Sequence, residues 1–220
     1  MALTKIDGGW YESGTSEDPR HLYYDEAGKW LPSATQLLSL VGYSDYSRVP
    51  AATLERKRVI GKEAHDHCAS IDLYGDVDPS WISDEARPYV EAYQLFRHQR
   101  RFVPDPEWVE RPVITEIYGM RVGVTCDVFG KLDGYDAVLE RKCVAVAKEA
   151  WAVQTALQEL ARFKGKHLGR AQRFAVQLLD TGKFKLAPHL NHGIDEFRAI
   201  SALAVVYMRL DSGEKLWELV

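Results

Sequence analysis

The amino-acid sequence predicts an α/β protein in which a central mixed β-sheet is flanked by helices. Segments with helical periodicity dominate up to about residue 101, and three strand-like segments follow between residues 107 and 143. A helix, a hairpin and a final helix complete the chain, without internal repeats or low-complexity segments. With 220 residues, 46% of them hydrophobic, the chain is predicted to form one domain over residues 1–220.

The N-terminal part of that domain, residues 1–106, is predicted to be mostly helical. Its first 30 residues show no clear periodicity, and their aromatic side chains are expected to cover the core. Pro50 is well placed to open a long helix, because proline is tolerated at the start of a helix, and Gly75 to end it. Capping residues and prolines place the three helices of this part at 33–41, 50–75 and 83–101.

The central part, residues 107–190, is predicted to hold the sheet and the functional residues. Its strands are expected at 107–118, 120–129 and 136–143, followed by a helix at 150–163 and a hairpin formed by 171–179 and 183–188. The C-terminal part, residues 191–220, is predicted to contain a helix at 195–209. Apolar residues lie nearly all round this last helix, so we expect it to be buried.

Three ionisable residues stand at the ends of two neighbouring strand segments. Asp127 ends one apolar run, and Glu140 and Lys142 end the next, after a turn-rich connector at 130–134. Because side chains alternate along a strand, Glu140 and Lys142 share a face while Arg141 points away. A hairpin would bring Asp127 beside Glu140. Two carboxylates form a hard oxygen site that suits Mg²⁺ or Mn²⁺, and the ammonium can orient a water or meet developing phosphate charge.

This pattern resembles the PD-(D/E)xK nuclease superfamily, and further matches resemble its RecB-like, phage-type exonuclease branch. His65, four residues after Gly61, is similar to the family's helical Gly-x-x-x-His segment. The run from Gly123 to Asp127 is similar to its Gly-x-x-Asp, and Glu140-Arg141-Lys142 to its E-x-K. Gln154 matches the first residue of a Gln-x-x-x-Tyr signature, with Gln158 where tyrosine is usual. The resemblance covers roughly residues 58–190.

The resemblance implies a restriction-endonuclease-like core and assigns roles to these residues. It makes His65, Asp127 and Glu140 ligands of Mg²⁺ or Mn²⁺, with the Arg141 carbonyl as a further oxygen. Lys142 would position the attacking water, and Gln154 would contact the DNA backbone or the lysine. Glu110 could reach the same site, but a partnership with Arg111 or a solvated position is the simpler expectation for it.

The function implied by the resemblance is that of a metal-dependent DNA nuclease, an exonuclease that acts on linear double-stranded DNA or single strands. A chain of this size without a helicase or P-loop is similar to phage or mobile-element recombination and repair exonucleases. A recombinase, a single-strand-binding protein and further copies of the chain are the protein partners that fit such a role.

Charge and composition set further expectations. The net charge is −4, but residues 141–220 hold 13 Lys and Arg against 8 Asp and Glu, so the C-terminal part is basic. A cluster between Arg162 and Arg173 is expected to track phosphates, and basic runs at 56–62 and 97–101 could wall a DNA channel. Three cysteines without C-x-x-C spacing indicate reduced thiols and exclude a four-cysteine cluster. No signal or membrane segment is recognised, so a cytoplasmic location is expected.

Two other classes of function stay open. One is a non-catalytic nucleic-acid-binding protein that keeps the fold, which would hold DNA equally well in the presence of a chelator. The other uses His65 and Asp66 as the metal dyad of an HD-type phosphohydrolase, a class that also needs an upstream histidine and a downstream aspartate on helices. His21 is the available upstream histidine, and it lies in the irregular N-terminal part.

Overall fold

Two β-sheets and five α-helices make up the described part of the chain. The computed structural model describes residues 3–12, 21–43, 49–144, 149–165 and 167–219. Within these residues, a large mixed sheet lies between two helical layers and a small antiparallel sheet covers one end of it. The predicted α/β class is therefore confirmed.

The N-terminal residues, for which the sequence shows no clear periodicity, form a four-stranded antiparallel sheet that was not predicted. The strands, in spatial order, are β1 (Thr4–Ile6), β2 (Gly9–Glu12), β3 (Leu22–Tyr24) and β4 (Trp30–Leu31). Strands of two to four residues are too short to show an alternating pattern. Close packing also needs a glycine, because a Cβ at Gly9 would lie 2.1 Å from the Tyr24 carbonyl oxygen.

Three helices follow, close to their predicted positions: α1 (Ala34–Leu40), α2 (Ala51–Tyr74) and α3 (Arg87–Arg100). Ser33 caps α1 through its hydroxyl, which accepts the Gln36 N–H, and the Gln36 side chain accepts the Ser33 N–H in return. The third helix begins four residues later than predicted. Pro88 must lie in the first turn, because a proline further inside would remove a helical hydrogen bond.

The large sheet has five strands in the order in which they occur in the chain. They are β5 (Val103–Ile117), β6 (Met120–Leu132), β7 (Tyr135–Lys142), β8 (Gln172–Leu178) and β9 (Phe184–Pro188). Only β7 and β8 are parallel among these pairs, and α4 (Ala150–Arg162) lies between them in the chain. Pro104 and Pro106 lie before the first predicted strand at 107–118 but are part of β5, which is an edge strand and tolerates proline there.

The hairpin between β6 and β7 turns on two residues, fewer than the predicted connector of 130–134. Asp133 and Gly134 both have positive φ, 52° and 86°, as the tightest hairpin turns require. The strands pair from Leu132 with Tyr135 as far as Val128 with Leu139. This register places Asp127 and Glu140 where the paired region ends.

Each face of the large sheet packs against its own helices. Val124 and Cys126 belong to the layer that contains α1, α4 and α5 (His192–Asp211), whereas Val128 belongs to the layer of α2 and α3. Regular alternation along a strand would place all three on one face, so β6 departs from it here. The regular alternation of β6 is interrupted at Asp127, where its pairing with β7 ends.

The last helix, α5, is buried along one side only, which corrects the expectation of a buried helix. Leu203 and Val206 lie in the core, while Phe197 is 71% and Met208 63% exposed. The apolar residues all round this helix therefore did not indicate correctly that it is buried. None of the helices in the described residues is both long and apolar enough to cross a membrane.

Candidate active site

A cleft of about 520 Å³ opens where β6 and β7 part, between α2, α4 and the N-terminal sheet. Of the six residues to which the resemblance assigns a role, all but Arg141 line it, namely His65, Asp127, Glu140, Lys142 and Gln154. They come from four elements and from positions up to 89 residues apart, 65 to 154. The cleft therefore depends on the whole fold rather than on one hairpin.

Asp127 holds the parted ends of the two strands together. One of its carboxylate oxygens accepts the Arg141 main-chain N–H at 2.7 Å, just beyond the last strand pair. The same oxygen lies 3.6 Å from Nδ1 of His65, which α2 brings to this point. Helix α2 and the hairpin of β6 and β7 therefore meet at Asp127, as expected. The side chain of Asp127 is almost completely buried, so its charge acts in a medium that screens it weakly.

Glu140, Lys142 and Gln154 form a closed set of hydrogen bonds. The Lys142 ammonium donates to Glu140 Oε1 at 2.6 Å and to Gln154 Oε1 at 3.1 Å. The Gln154 amide donates to Glu140 Oε1 at 2.8 Å. Gln154 thus contacts the lysine, one of the two roles expected for it. The set fixes the ammonium beside the carboxylate at the floor of the cleft.

Gln158 contacts the same carboxylate, a contact that the sequence analysis did not predict. Its amide donates to Glu140 Oε2 at 2.5 Å and to the Thr125 carbonyl at 3.3 Å. It lies one helical turn after Gln154, so both amides face the same carboxylate. The spacing of Gln154 and Gln158 was the sequence signal from which this contact could have been predicted. Glu140 therefore has both oxygens occupied by protein donors, and its role as a metal ligand stays a prediction.

Glu110 joins His65 and Asp127 in a compact group of potential ligands. One donor atom from each of the three residues lies within 4.8 Å of the others. Glu110 has a positive φ of 47°, an uncommon backbone conformation for a residue with a side chain. It follows the register shift of β5 between Pro104 and Val109. Glu110 pairs with Arg141 rather than with Arg111, and 37% of its side chain remains exposed. The irregular strand explains why regular alternation gave no signal for this pairing.

Arg141 points away from the cleft, as alternation predicts, and is completely buried. Its guanidinium bonds Asp72 at 3.2 Å, Glu110 at 2.5 Å and the Asp127 carbonyl at 2.9 Å, and lies over the ring of Tyr93. The arginine therefore links the α2 and α3 layer to the back of the site. Its carbonyl as a metal ligand stays a prediction.

Burial shifts the acid–base behaviour of the site. It raises the pKa of Glu110 to about 8, against the opposing effect of Arg141 and with the help of Asp127 and Glu140. It lowers the pKa of His65 to about 3, and Arg141 lowers it further. The pKa of Glu140 is raised by burial and by Asp127. His65 is thus a neutral imidazole near pH 7, the form that binds metal ions.

Cations line the cleft along α2. Lys57, Arg58 and Lys62 are on its wall, so the first of the two predicted basic runs lies where a channel wall was expected. In the second run, Arg97 pairs with Asp72 and Arg100 with Asp133, away from the cleft.

The predicted phosphate-tracking cluster lies elsewhere. Arg173 is buried in ion pairs with Glu159 and Asp195, and Arg162 lies over the Trp108 ring. Lys166 lies outside the described residues. Arg162 and Arg173 are therefore engaged within the protein, and phosphate tracking by the rest of the cluster stays a prediction.

Gly61 and Asp66 differ from what their sequence context suggests. A Cβ at Gly61 would meet no atom within 4 Å, so close backbone approach within the protein does not explain this glycine. Asp66 pairs with Lys62 at 2.8 Å and is 63% exposed. The ligand group in the described residues contains His65 without Asp66, which gives the HD-type alternative no support.

Comparison with known proteins adds little to this geometry. No protein-family model matches the chain, and no curated protein matches it in sequence. A solved structure described as the crystal structure of SSO0001 is similar over 78% of this chain and 82% of that chain, with 11% identity and a TM-score of 0.33. A TM-score this low supports no conclusion about family or activity.

Proposed function

We propose that this chain is a divalent-metal-dependent deoxyribonuclease with a PD-(D/E)xK-type core, acting on DNA ends or single strands. The observation that carries the proposal is the meeting of Asp127, Glu140 and Lys142 in one cleft, with Gln154 bonded to the acid and to the lysine. Phosphoryl transfer depends mainly on positioning and on charge stabilisation, and this set supplies both.

The donor atoms of His65, Glu110 and Asp127 fit a divalent cation. They lie within 4.8 Å of one another and combine the oxygens of two acidic side chains with a neutral imidazole. Carboxylates suit Mg²⁺ and Mn²⁺, while imidazole suits transition ions, so this set favours Mn²⁺. When bound, such an ion polarises a phosphate oxygen and lowers the pKa of a water.

The protein's own groups orient the reactants. Lys142 is held by Glu140 and Gln154, so its ammonium is fixed in direction and can hold a water or meet charge on the phosphate. Lys57 and Lys62 on α2 offer charge to the DNA backbone. Contacts of this kind are indifferent to base sequence.

The proposal is tested by incubating end-labelled linear single-stranded DNA, linear double-stranded DNA and closed circles with Mg²⁺, Mn²⁺ or chelator. Wild type should shorten linear DNA in the presence of a metal ion, and Lys142→Ala should lose this activity by about a hundred-fold or more. Lys131→Ala is the matched control, because Lys131 lies on β6 with an exposed side chain paired to Asp136.

The result also separates the alternatives. DNA that is bound in chelator and never cut in any metal would replace the nuclease by a non-catalytic binding protein. Equal loss in Lys131→Ala and Lys142→Ala would show that the cleft does not hold the chemistry. Cutting of closed circles would change the mode of action from exonuclease to endonuclease.

A further inference from the structure

A second cavity, of about 200 Å³, adjoins the cleft. Four residues line both spaces, namely His21, Thr35, Thr125 and Gln154. The remaining walls come from β3 and from the start of α1. A ligand whose charged part lies in the cleft can therefore place a neighbouring group in this cavity.

The two spaces differ in chemistry. Among the described residues that line the small cavity, none is Asp, Glu, Lys or Arg, whereas the cleft carries both acids and bases. The small cavity thus suits an uncharged group, and the cleft suits a charged one.

His21 offers an aromatic face at the boundary between the two spaces. Its ring stacks on Tyr11 with centroids 5.8 Å apart and an angle of 20° between the planes. The Tyr11 hydroxyl and His21 Nδ1 are hydrogen-bonded at 2.5 Å. The ring is therefore held in place while its residue remains exposed. Fixed aromatic rings of this kind are platforms for nucleobases.

Gln36 supplies a polar edge. It lines the cavity, is 7% exposed and uses its Oε1 to accept the Ser33 N–H. Its Nε2 is buried and has no hydrogen-bond partner within the described residues. Buried donors without a partner are rare, because an unmade hydrogen bond in the interior is costly. Because this nitrogen is screened from solvent, Gln36 would have to turn its amide toward the cavity before a carbonyl oxygen or ring nitrogen of a base could accept from it.

We propose that the small cavity binds the base of an unpaired nucleotide next to the scissile phosphate, with its ring against His21 and its edge toward Gln36. The inference rests on the proposed function and narrows its substrate to single strands and frayed ends. The volume equals that of about seven waters at ~30 Å³ each, which admits a single base and excludes a base pair.

The test compares two short, end-labelled single-stranded oligonucleotides in Mn²⁺. One has natural nucleotides throughout, and the other has an abasic nucleotide at the positions flanking the cleaved bond. Wild type should cleave the natural substrate with a kcat/KM at least about five-fold higher, since stacking of one base contributes at least that factor. His21→Ala should lose a similar factor on the natural substrate.

The two losses should not add, because both remove the same contact. His98→Ala, an exposed histidine on α3, is the matched control and should behave as wild type on both substrates. Gln36→Glu provides a second variant, because it keeps the oxygen that accepts the Ser33 N–H and removes the amide donor. Gln36→Glu should also reduce the difference in kcat/KM between the natural and the abasic substrate.

Each other outcome is decisive. Equal cleavage of both substrates by wild type would overturn the base pocket and leave the nuclease proposal standing. The loss caused by His21→Ala and the loss caused by the abasic nucleotide could also add fully. That result would assign His21 to the phosphate cleft instead. Absence of metal-dependent cleavage of either substrate would overturn the nuclease proposal and this inference with it.

Discussion

Arg141 lies between two cleft residues in the sequence, yet its side chain lies on the other face of β7. The guanidinium is completely buried and meets Asp72, whose side chain is also completely buried. Such a pair adds little net stability compared with apolar residues, but removing one partner leaves the other charge buried without its counter-charge. Asp72 also accepts a hydrogen bond from Tyr93 and forms an ion pair with Arg97, and both contacts reduce that loss.

Arg141→Met should therefore lower the free energy of unfolding by about 3 kcal/mol, near the lower end for a broken buried pair. Urea unfolding measures the change. Arg56→Met is the control, because Arg56 pairs with Glu85 at the surface and should cost less than about 1 kcal/mol. Adding Asp72→Asn to Arg141→Met should restore part of the loss. If Arg141→Met costs no more than Arg56→Met, the buried network does not carry this stability.

At the level of elements, the N-terminal sheet is joined to β6 through Gly123. The Gly123 N–H donates to the Pro32 carbonyl at 2.9 Å, and a Cβ here would lie 2.0 Å from the Tyr23 ring. Tyr23 is fully buried, and its hydroxyl is hydrogen-bonded to Thr125 at 2.6 Å. This glycine thus lets a tyrosine approach the sheet beside the cleft.

Gly123→Ala and Gly61→Ala should change stability in opposite directions. The first forces a methyl group into a buried ring and should cost at least about 1–3 kcal/mol. The second lies inside α2 with open space around it and should gain about 0.5–1 kcal/mol from helix propensity. Thermal and urea unfolding of the two variants measure both. A neutral Gly123→Ala would show that the two sheets are not tightly joined.

The junction of β9 and α5 should make stability depend on pH. Burial and Arg173 lower the pKa of His189 to about 4, while the unfolded chain keeps a value near 6.5. The unfolded state therefore binds more protons, so this contribution is complete above about pH 6.5 and is lost as the pH falls toward 4.

Unfolding free energies measured at pH 7 and pH 5 check this expectation. Wild type should lose about 1–2 kcal/mol more than His189→Gln over that interval. His98→Gln, at an exposed position, should lose as much as wild type. An equal loss in wild type and His189→Gln would mean that His189 is free to titrate in the folded protein.

For the molecule as a whole, the candidate metal group joins three separate elements, because His65 lies on α2, Glu110 on β5 and Asp127 on β6. An ion that binds only the folded chain stabilises it, by about 2.7 kcal/mol at a hundred times its Kd. For a chain of 220 residues this corresponds to a rise in Tm of roughly 5–10 °C.

Mn²⁺ should therefore raise the Tm of wild type, and chelator should reverse the rise. Glu110→Gln should reduce the shift, because it replaces one of three donors with a weaker ligand. Glu107→Gln, on the same strand and exposed, should keep the full shift. A full shift in Glu110→Gln together with its loss in Asp127→Asn would exclude Glu110 from the metal group.

The sequence predicted what depends on regular periodicity. Alternation placed Glu140 and Lys142 on one side of β7 and Arg141 on the other, and proline and glycine marked the ends of α2 correctly. It did not predict Glu110, which depends on an irregular strand with positive φ, or the N-terminal sheet, whose strands are too short for a pattern. Contacts between distant segments, such as Tyr23 with Thr125, leave no local signal.

The two-residue turn at Asp133 and Gly134 has a consequence for the chemistry of the cleft. Glu140 lies five residues beyond the first pair of β7, roughly 17 Å along the strand. Because the side-chain period of a strand is two, one extra residue in the turn that shifted β7 by a single position would exchange its faces. Arg141 would then enter the cleft, and Glu140 and Lys142 would face the opposite core. The length of a distant turn thus decides which of three consecutive side chains can meet a substrate.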